Sequence, residues 1–139
     1  MLRIHFVTPK GFAHVQSADR VVLPGHRGEL AILPGHAPLV CLLDYDMCRL
    51  VVDDRPVTRL AIRGGVAWIQ RNQVAVVTES LVKADDVAEA TVRERLLSLD
   101  TAQYPDQAHL AAARTEARWL IAQLHTINSQ VPPLRQMAG

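Results

Sequence analysis

Six histidines, two cysteines and three close pairs of aspartates are the residues of this chain best suited to chemistry, and their spacing keeps them apart. The histidines stand at 5, 14, 26, 36, 109 and 125, and no two have the helical spacing that holds zinc. His5 and His14 read as solvated or half-buried strand residues. His36 sits between Gly35 and Ala37 in a loop flanked by prolines, where it reads as a bracing residue. Cys41 and Cys48 flank Asp44-Tyr45-Asp46, a turn by composition, which would set the thiols across a hairpin. With no histidine near, they make no metal site, and a cytosol-like compartment disfavours a disulfide. They are expected as buried free thiols. Asp44, Asp46, Asp53 and Asp54 fall in expected turns, where carboxylates bond the local backbone. Gly25-His26-Arg27-Gly28 is too short for a phosphate cradle and reads as a hairpin turn. Gly64-Gly65 reads as a β-turn or bulge. No Gly-x-Ser-x-Gly and no Walker-type loop is present. These residues describe an interaction module with no catalytic residue, no metal site and no cofactor.

The elements that must position them change character near residue 80. Before it, short apolar runs alternate with polar residues, the period of strands. Leu2, Ile4 and Phe6 alternate with Arg3 and His5, and Phe12 to Gln16 is a second candidate. Val21 to Leu23, Glu29 to Leu33, Leu39 to Leu43 and Met47 to Val52 follow. Val57 to Ile62, Val66 to Gln70 and Val74 to Thr78 complete the series. Many short strands with Pro and Gly turns predict a β-sandwich or barrel. Trp68 falls in a strand, as core or sheet surface.

After residue 80, Ala88, Val92, Leu96 and Leu99 recur at steps of four, four and three, one face of a helix. Asp85 and Asp86 are expected to cap its start. Pro105 breaks the chain, and Asp106 is the expected N-cap of a second helix. That helix carries the stripe Leu110, Ala113, Ala117, Leu120, Leu124 and Ile127, with Trp119 on its flank. Pro132-Pro133 ends it, and the residues to Gly139 are expected as a loose tail. The division is residues 1–84 as a sandwich and 85–139 as a helical hairpin with tail. So small a hairpin has little core of its own and must bury its stripes on itself, the sandwich or a partner.

Composition narrows the function. Fifteen basic against 14 acidic residues leave a formal charge of +1, which gives no reason to expect nucleic acid or an anionic lipid surface. Mean hydropathy is +0.07, and no apolar run approaches the length of a spanning helix, so no membrane insertion is expected. Leu2 to Val7 lacks the basic and apolar regions of a secretory signal. A chain made and kept in a cytosol-like compartment is the expectation.

Several segments are similar to one family. Gly28-Glu29-Leu30-Ala31-Ile32-Leu33-Pro34-Gly35-His36-Ala37-Pro38-Leu39 closely resembles the most recognisable stretch of the epsilon subunit of F-type (rotary) ATP synthase. The opening Ile4 to Pro9, the Gly-Gly segment Leu60 to Val66, and the strand Val74 to Glu79 resemble the same family. Ile121-Ala122-Gln123-Leu124 resembles some bacterial members. The likeness runs over about residues 1 to 128.

The resemblance implies an α+β fold, with an antiparallel sandwich of about ten strands followed by a two-helix hairpin. It implies a non-catalytic rotor part of the machine that makes ATP from ADP using a transmembrane proton gradient. The implied partners are the gamma subunit, the c-ring and, through an extended hairpin, the alpha and beta subunits. Carried over by residue, Glu29 and the loop Pro34, Gly35, His36, Ala37, Pro38 and Leu39 belong to the rotor-facing surface, Glu29 opposite a basic residue of the ring. Arg114 and Arg118, with Leu120 and Leu124 in the stripe between them and the helix end, belong to a hairpin that brakes hydrolysis. Members that bind ATP carry Asp and Arg where this chain has Ala88 and Thr91, so no nucleotide site is expected. The implied location is peripheral, on the cytoplasmic face of a bacterial inner membrane or on a plastid thylakoid. A free-standing β-sandwich adaptor is the alternative.

Overall fold

The alternation at the start of the chain buries Leu2, Ile4 and Phe6 completely or nearly so, while Arg3 is exposed. The computed structural model describes residues 1–138. Its strands are β1 (Leu2–Thr8), β2 (Gly11–Ala18), β3 (Arg20–Gly25), β4 (Gly28–Ile32), β5 (Leu39–Val52), β6 (Arg55–Gln70), β7 (Gln73–Val77) and β8 (Leu81–Lys83). A 3-10 turn at Ala84–Asp86 leads to α1 (Glu89–Thr101) and α2 (Gln107–Thr126).

The strands pair in the order β2-β1-β7-β6-β5-β3-β4, with β8 also on β6. Both layers of the sandwich are one continuous sheet that folds over itself. β6 is shared between the layers: residues 66–70 pair with β7, and residues 60–62 pair with β8. Between those stretches lie Gly64 and Gly65 at φ +66° and +123°. A Cβ on Gly65 would stand 1.9 Å from the Val77 carbonyl oxygen, so β7 approaches β6 only because that side chain is missing. The enclosed core joins Leu2, Ile4, Phe6, Val21, Leu23, Leu50, Leu60, Ile62, Ile69 and Val76.

Eight strands replace the expected ten or so, because two expected hairpins are each one long strand. Asp44-Tyr45-Asp46 is no turn: Tyr45 pairs with Arg63 and Asp46 with Ile62 inside the β5–β6 ladder. Asp46 still bonds the local backbone, accepting from the Met47 N–H at 2.8 Å, and both aspartates also find side-chain partners, His26 at 3.0 Å for Asp44 and His125 at 3.3 Å for Asp46. Gly64-Gly65 is a bend within β6, with the register of Leu43↔Gly65 continuing unshifted to Tyr45↔Arg63. Cys41 and Cys48 therefore lie along one strand, about 23 Å apart if it were straight, and both are free. Cys48 is buried as expected, but Cys41 is only half-buried. The sheet is also not wholly antiparallel, since β1 and β7 run parallel.

The helices depart from expectation at their ends. Asp85 and Asp86 occupy the 3-10 turn and do not cap α1, whose N-cap is Ala88 with no side-chain bond. Asp106 does cap α2, accepting from the His109 backbone N–H at 2.8 Å. Val92 and Leu96 of α1 meet Ala113, Ala117, Leu120 and Leu124 of α2 in a second core. The expected loose tail is packed: Met137 is buried in that core, with Val131 and Leu134 against it. Gly139 lies outside the described residues.

Candidate functional site

The outer side of the sheet carries the most unusual surface of the molecule. Alternation places Val40 and Leu42 of β5, Val66 and Trp68 of β6, and Val77 of β7 outward, and all five are exposed. Register brings them together: Val40 faces Trp68, Leu42 faces Val66, and Val66 faces Val77. The stripe continues through Val7 of β1 to Phe12 of β2, where Phe12 is 75% exposed. An apolar patch crossing five adjacent strands is far from the scattered single residues of an ordinary surface, and marks a docking face. Trp68, at 61% exposure, is its largest side chain. The strand pattern held the signal, but choosing which side of each strand faces inward needs the pairing register.

A groove joins this face to Glu29. It is lined by the Gly25–Gly28 turn, Glu29, Leu30, Leu39, Val40 and Leu42. Glu29 stands at the start of β4, 70% exposed, and accepts from Arg49 at 3.2 Å. The Leu33–Pro38 loop begins at the other end of β4, about 13 Å along the strand. Glu29 and His36 are thus not adjacent, and Leu39 is the loop residue that returns to the groove. The loop is held by its backbone: Asn72 Oδ1 accepts from the Gly35 N–H at 2.7 Å, and Leu33 O from the His36 N–H at 3.1 Å. His36 Nδ1 donates to the Ala37 carbonyl at 2.6 Å. Pro34, Gly35, Ala37 and Pro38 are exposed around it.

The hairpin docks on the sandwich through α2. Trp119 and Ala122 bury against Ala61, with Tyr45 and Val82 packed around them. Arg118 and Arg63 both approach the Tyr45 ring, at 4.6 Å and 5.7 Å. Arg63 also pairs with Glu116 at 3.0 Å. Burial opposes the Arg63 charge, but Tyr45 and Glu116 outweigh it and hold its pKa above the ordinary value. The hairpin residues singled out in the sequence point in different directions. Leu120 and Leu124 face α1, Arg118 faces Tyr45, and Arg114 donates to the Gln136 carbonyl of the tail. Ala88 and Thr91 are exposed at the start of α1. Among the described residues no three His, Cys, Asp or Glu side chains group as metal ligands, and no helix is long and apolar enough to cross a membrane.

A folded-over sandwich with a docked helical hairpin and one broad apolar face defines a subunit built for protein assembly. The β-sandwich domain model of the ATP synthase Delta/Epsilon chain matches residues 1–84. The ATP synthase epsilon chain of Acidithiobacillus ferridurans is 34% identical over 126 residues, 89% of each chain. The chloroplastic epsilon chain of Psilotum nudum is 28% identical over 125 residues, covering 85% of this chain and 93% of its own. The chain belongs to the ATP synthase epsilon chain family. The fold is also that of a chain in the Euglena gracilis mitochondrial ATP synthase, at TM-score 0.77 and 17% identity, covering 89% of this chain and 79% of that one. A chain from the Tetrahymena thermophila mitochondrial ATP synthase central stalk and c-ring gives a TM-score of 0.63 at 12% identity, covering 91% and 96%.

Proposed function

We propose that this chain is a non-catalytic part of the rotor of an F-type ATP synthase, joining the gamma subunit to the c-ring in the central stalk. The observation that carries the reading is the apolar stripe from Leu42 to Phe12 on a chain of this family. A rotor part must hold its axle against torque, and burial of a five-strand apolar face supplies a broad non-polar contact. At about 25 cal/mol per Å², burying Trp68, Leu42 and Phe12 alone would contribute several kcal/mol. We assign this face to gamma. Glu29, with the groove beside it and the loop Pro34 to Leu39, is assigned to the ring, where a carboxylate orients a larger contact more than it tightens it. The backbone bonds of the loop support that role, since a pre-ordered loop loses little entropy on docking.

The hairpin, packed down on the sandwich through Trp119, is the resting form in this reading. Released, α2 would carry Arg114 and Arg118 toward the alpha and beta subunits as a brake on hydrolysis. The complex sits peripherally on the cytoplasmic face of a bacterial inner membrane in this reading, with the chain producing no chemistry itself. The test is Trp68→Glu. A tagged wild-type chain should co-purify gamma and the c-ring, and the variant should lose gamma while its strand content stays unchanged. Gamma retained by the variant at wild-type stoichiometry overturns the assignment of the face.

A further inference from the structure

Asp100 lies in the last turn of α1, where the helix dipole disfavours a carboxylate, and its side chain is nonetheless buried. Three successive backbone N–H groups of the tail explain it. Arg135 donates to both carboxylate oxygens at 2.9 and 2.8 Å, and Gln136 and Met137 donate to Oδ1 at 2.7 and 2.9 Å. Consecutive N–H groups converging on one anion form a nest. The Gln136 side chain adds bonds to the Asp100 and Ala102 carbonyls at 2.7 and 2.8 Å, which α1 leaves open at its C-terminal end.

The other end of the tail is tied to the other end of α1. Arg93 donates to the Ser129 hydroxyl at 3.0 Å and to the Gln130 carbonyl, and Ser129 donates to Glu89 at 2.8 Å. α2 holds the tail as well, through Arg114 and the Gln136 carbonyl at 2.9 Å. Between these ties, Val131, Leu134 and Met137 pack into the core shared by α1 and α2.

We propose that residues 129–137 are a clasp that locks α1 and α2 together, with Asp100 as its anchoring residue, so that the hairpin opens only after the tail lets go. Asp100 is a positioning residue: it seats Met137 and the Gln136 carbonyl, and through them both helices. The clasp does not depend on the rotor reading, because it joins parts of one chain. It is a device of the isolated protein, and its effect on hydrolysis would be a separate matter.

Hydrogen exchange on the full-length isolated chain tests it. Asp100→Asn keeps the size but removes the charge that three N–H groups share, and turns the oxygen facing the Arg135 N–H into an N–H₂ donor. Backbone amides of Arg135 to Met137 should lose protection, and those of α1 should exchange about tenfold faster or more, the scale of losing charge-assisted bonds. Strand amides should be unchanged. A chain ending at Asn128 should show the same acceleration in α1 without any altered charge at Asp100. Equal α1 exchange in wild type and both variants overturns the clasp. So does loss of protection throughout the strands, which would make the tail a general support of the fold.

Discussion

Arg118 of α2 lies over the Tyr45 ring of β5, its guanidinium carbon 4.6 Å from the ring centroid. The contact joins the helix assigned to the brake with β5, which pairs at Tyr45 with Arg63 beside the bend of β6. It means that an arginine assigned to a distant partner is already engaged while the hairpin is down. A cation over an aromatic face contributes about 0.5–1 kcal/mol at an exposed site. Trp119, 7% exposed one residue further on, is the larger anchor.

Truncating the anchor should undock the helix. Trp119→Ala is expected to weaken docking by about 3 kcal/mol, and Tyr45→Leu by about 1 kcal/mol. Hydrogen exchange of α2 amides reads the difference, with β1 and β7 amides as the unchanged reference. Equal α2 exchange in both variants and wild type would show that Trp119 does not hold the hairpin.

Gly65 should be far less replaceable than Gly28. Both have positive φ, +123° and +124°, but a Cβ on Gly28 meets nothing within 4 Å while one on Gly65 strikes the Val77 carbonyl. Gly28→Ala should cost about 1–3 kcal/mol from backbone strain alone. Gly65→Ala should exceed that, because β7 must also move away. Urea midpoints of the two variants compare them directly, and equal shifts would deny the close approach.

That glycine also shows how far the sequence could be read. Period-two alternation located the strands and period-four steps located both helices, because burial on one face imposes those patterns directly. Asp44-Tyr45-Asp46 misled for a physical reason. Aspartates leave sheets when their carboxylates lack partners, and His26 and His125, distant in sequence, supply partners only once folded. The tail misled likewise, since the nest at Asp100 is built of backbone N–H groups that any residue type provides. The resemblance of Gly28 to Leu39 to the family, a stretch that the matched domain model covers, was legible in the sequence. The outer face around Trp68 was not, because no single strand reveals which of its neighbours share a side.

The two thiols should differ in reactivity. Cys48 is wholly buried, and burial first and the Asp46 charge second push its thiol far above the ordinary value. Burial also raises Cys41, with a backbone hydrogen bond involving Ala67 acting the other way, but that side chain is only half-buried. A raised pKa means less thiolate at neutral pH, and thiolate is the reacting form. A disulfide reagent such as DTNB should modify one thiol per native chain, at Cys41, and the second only on unfolding. Rapid modification of Cys48 in the native protein would show that the β5–β6 ladder opens readily.

Reversing the charge at Glu29 should weaken coupling with little effect on the fold. Its pair with Arg49 is exposed, so Glu29→Lys should change stability by about 1 kcal/mol or less. Coupling between proton flow and ATP synthesis in membranes carrying the variant should fall. Unchanged ATP-driven proton pumping together with unchanged ring binding would remove Glu29 from the rotor surface.

Removing both helices should separate assembly from regulation. Every strand ends by Lys83, and the sandwich core from Leu2 to Val76 contains no helical residue. Truncation after Lys83 should therefore leave that core closed. It uncovers Ala61, Tyr45 and Val82 and takes away the helix partners of Arg63 and Asp46, all outside the contacts that close that core. The face around Trp68 and the groove at Glu29 lie outside the hairpin contacts, so gamma and ring binding should persist. What is lost is α2 with Arg114 and Arg118, the part assigned to the brake. A switch between docked and extended hairpins needs a few kcal/mol of differential binding, a range within reach of one helix. ATP hydrolysis by complexes carrying the truncated chain should rise above wild type at matched subunit content, and synthesis should be largely kept. Equal hydrolysis rates at both low and high ATP would mean that the hairpin does not restrain the enzyme, and its packing on Tyr45 and Ala61 would then be purely structural.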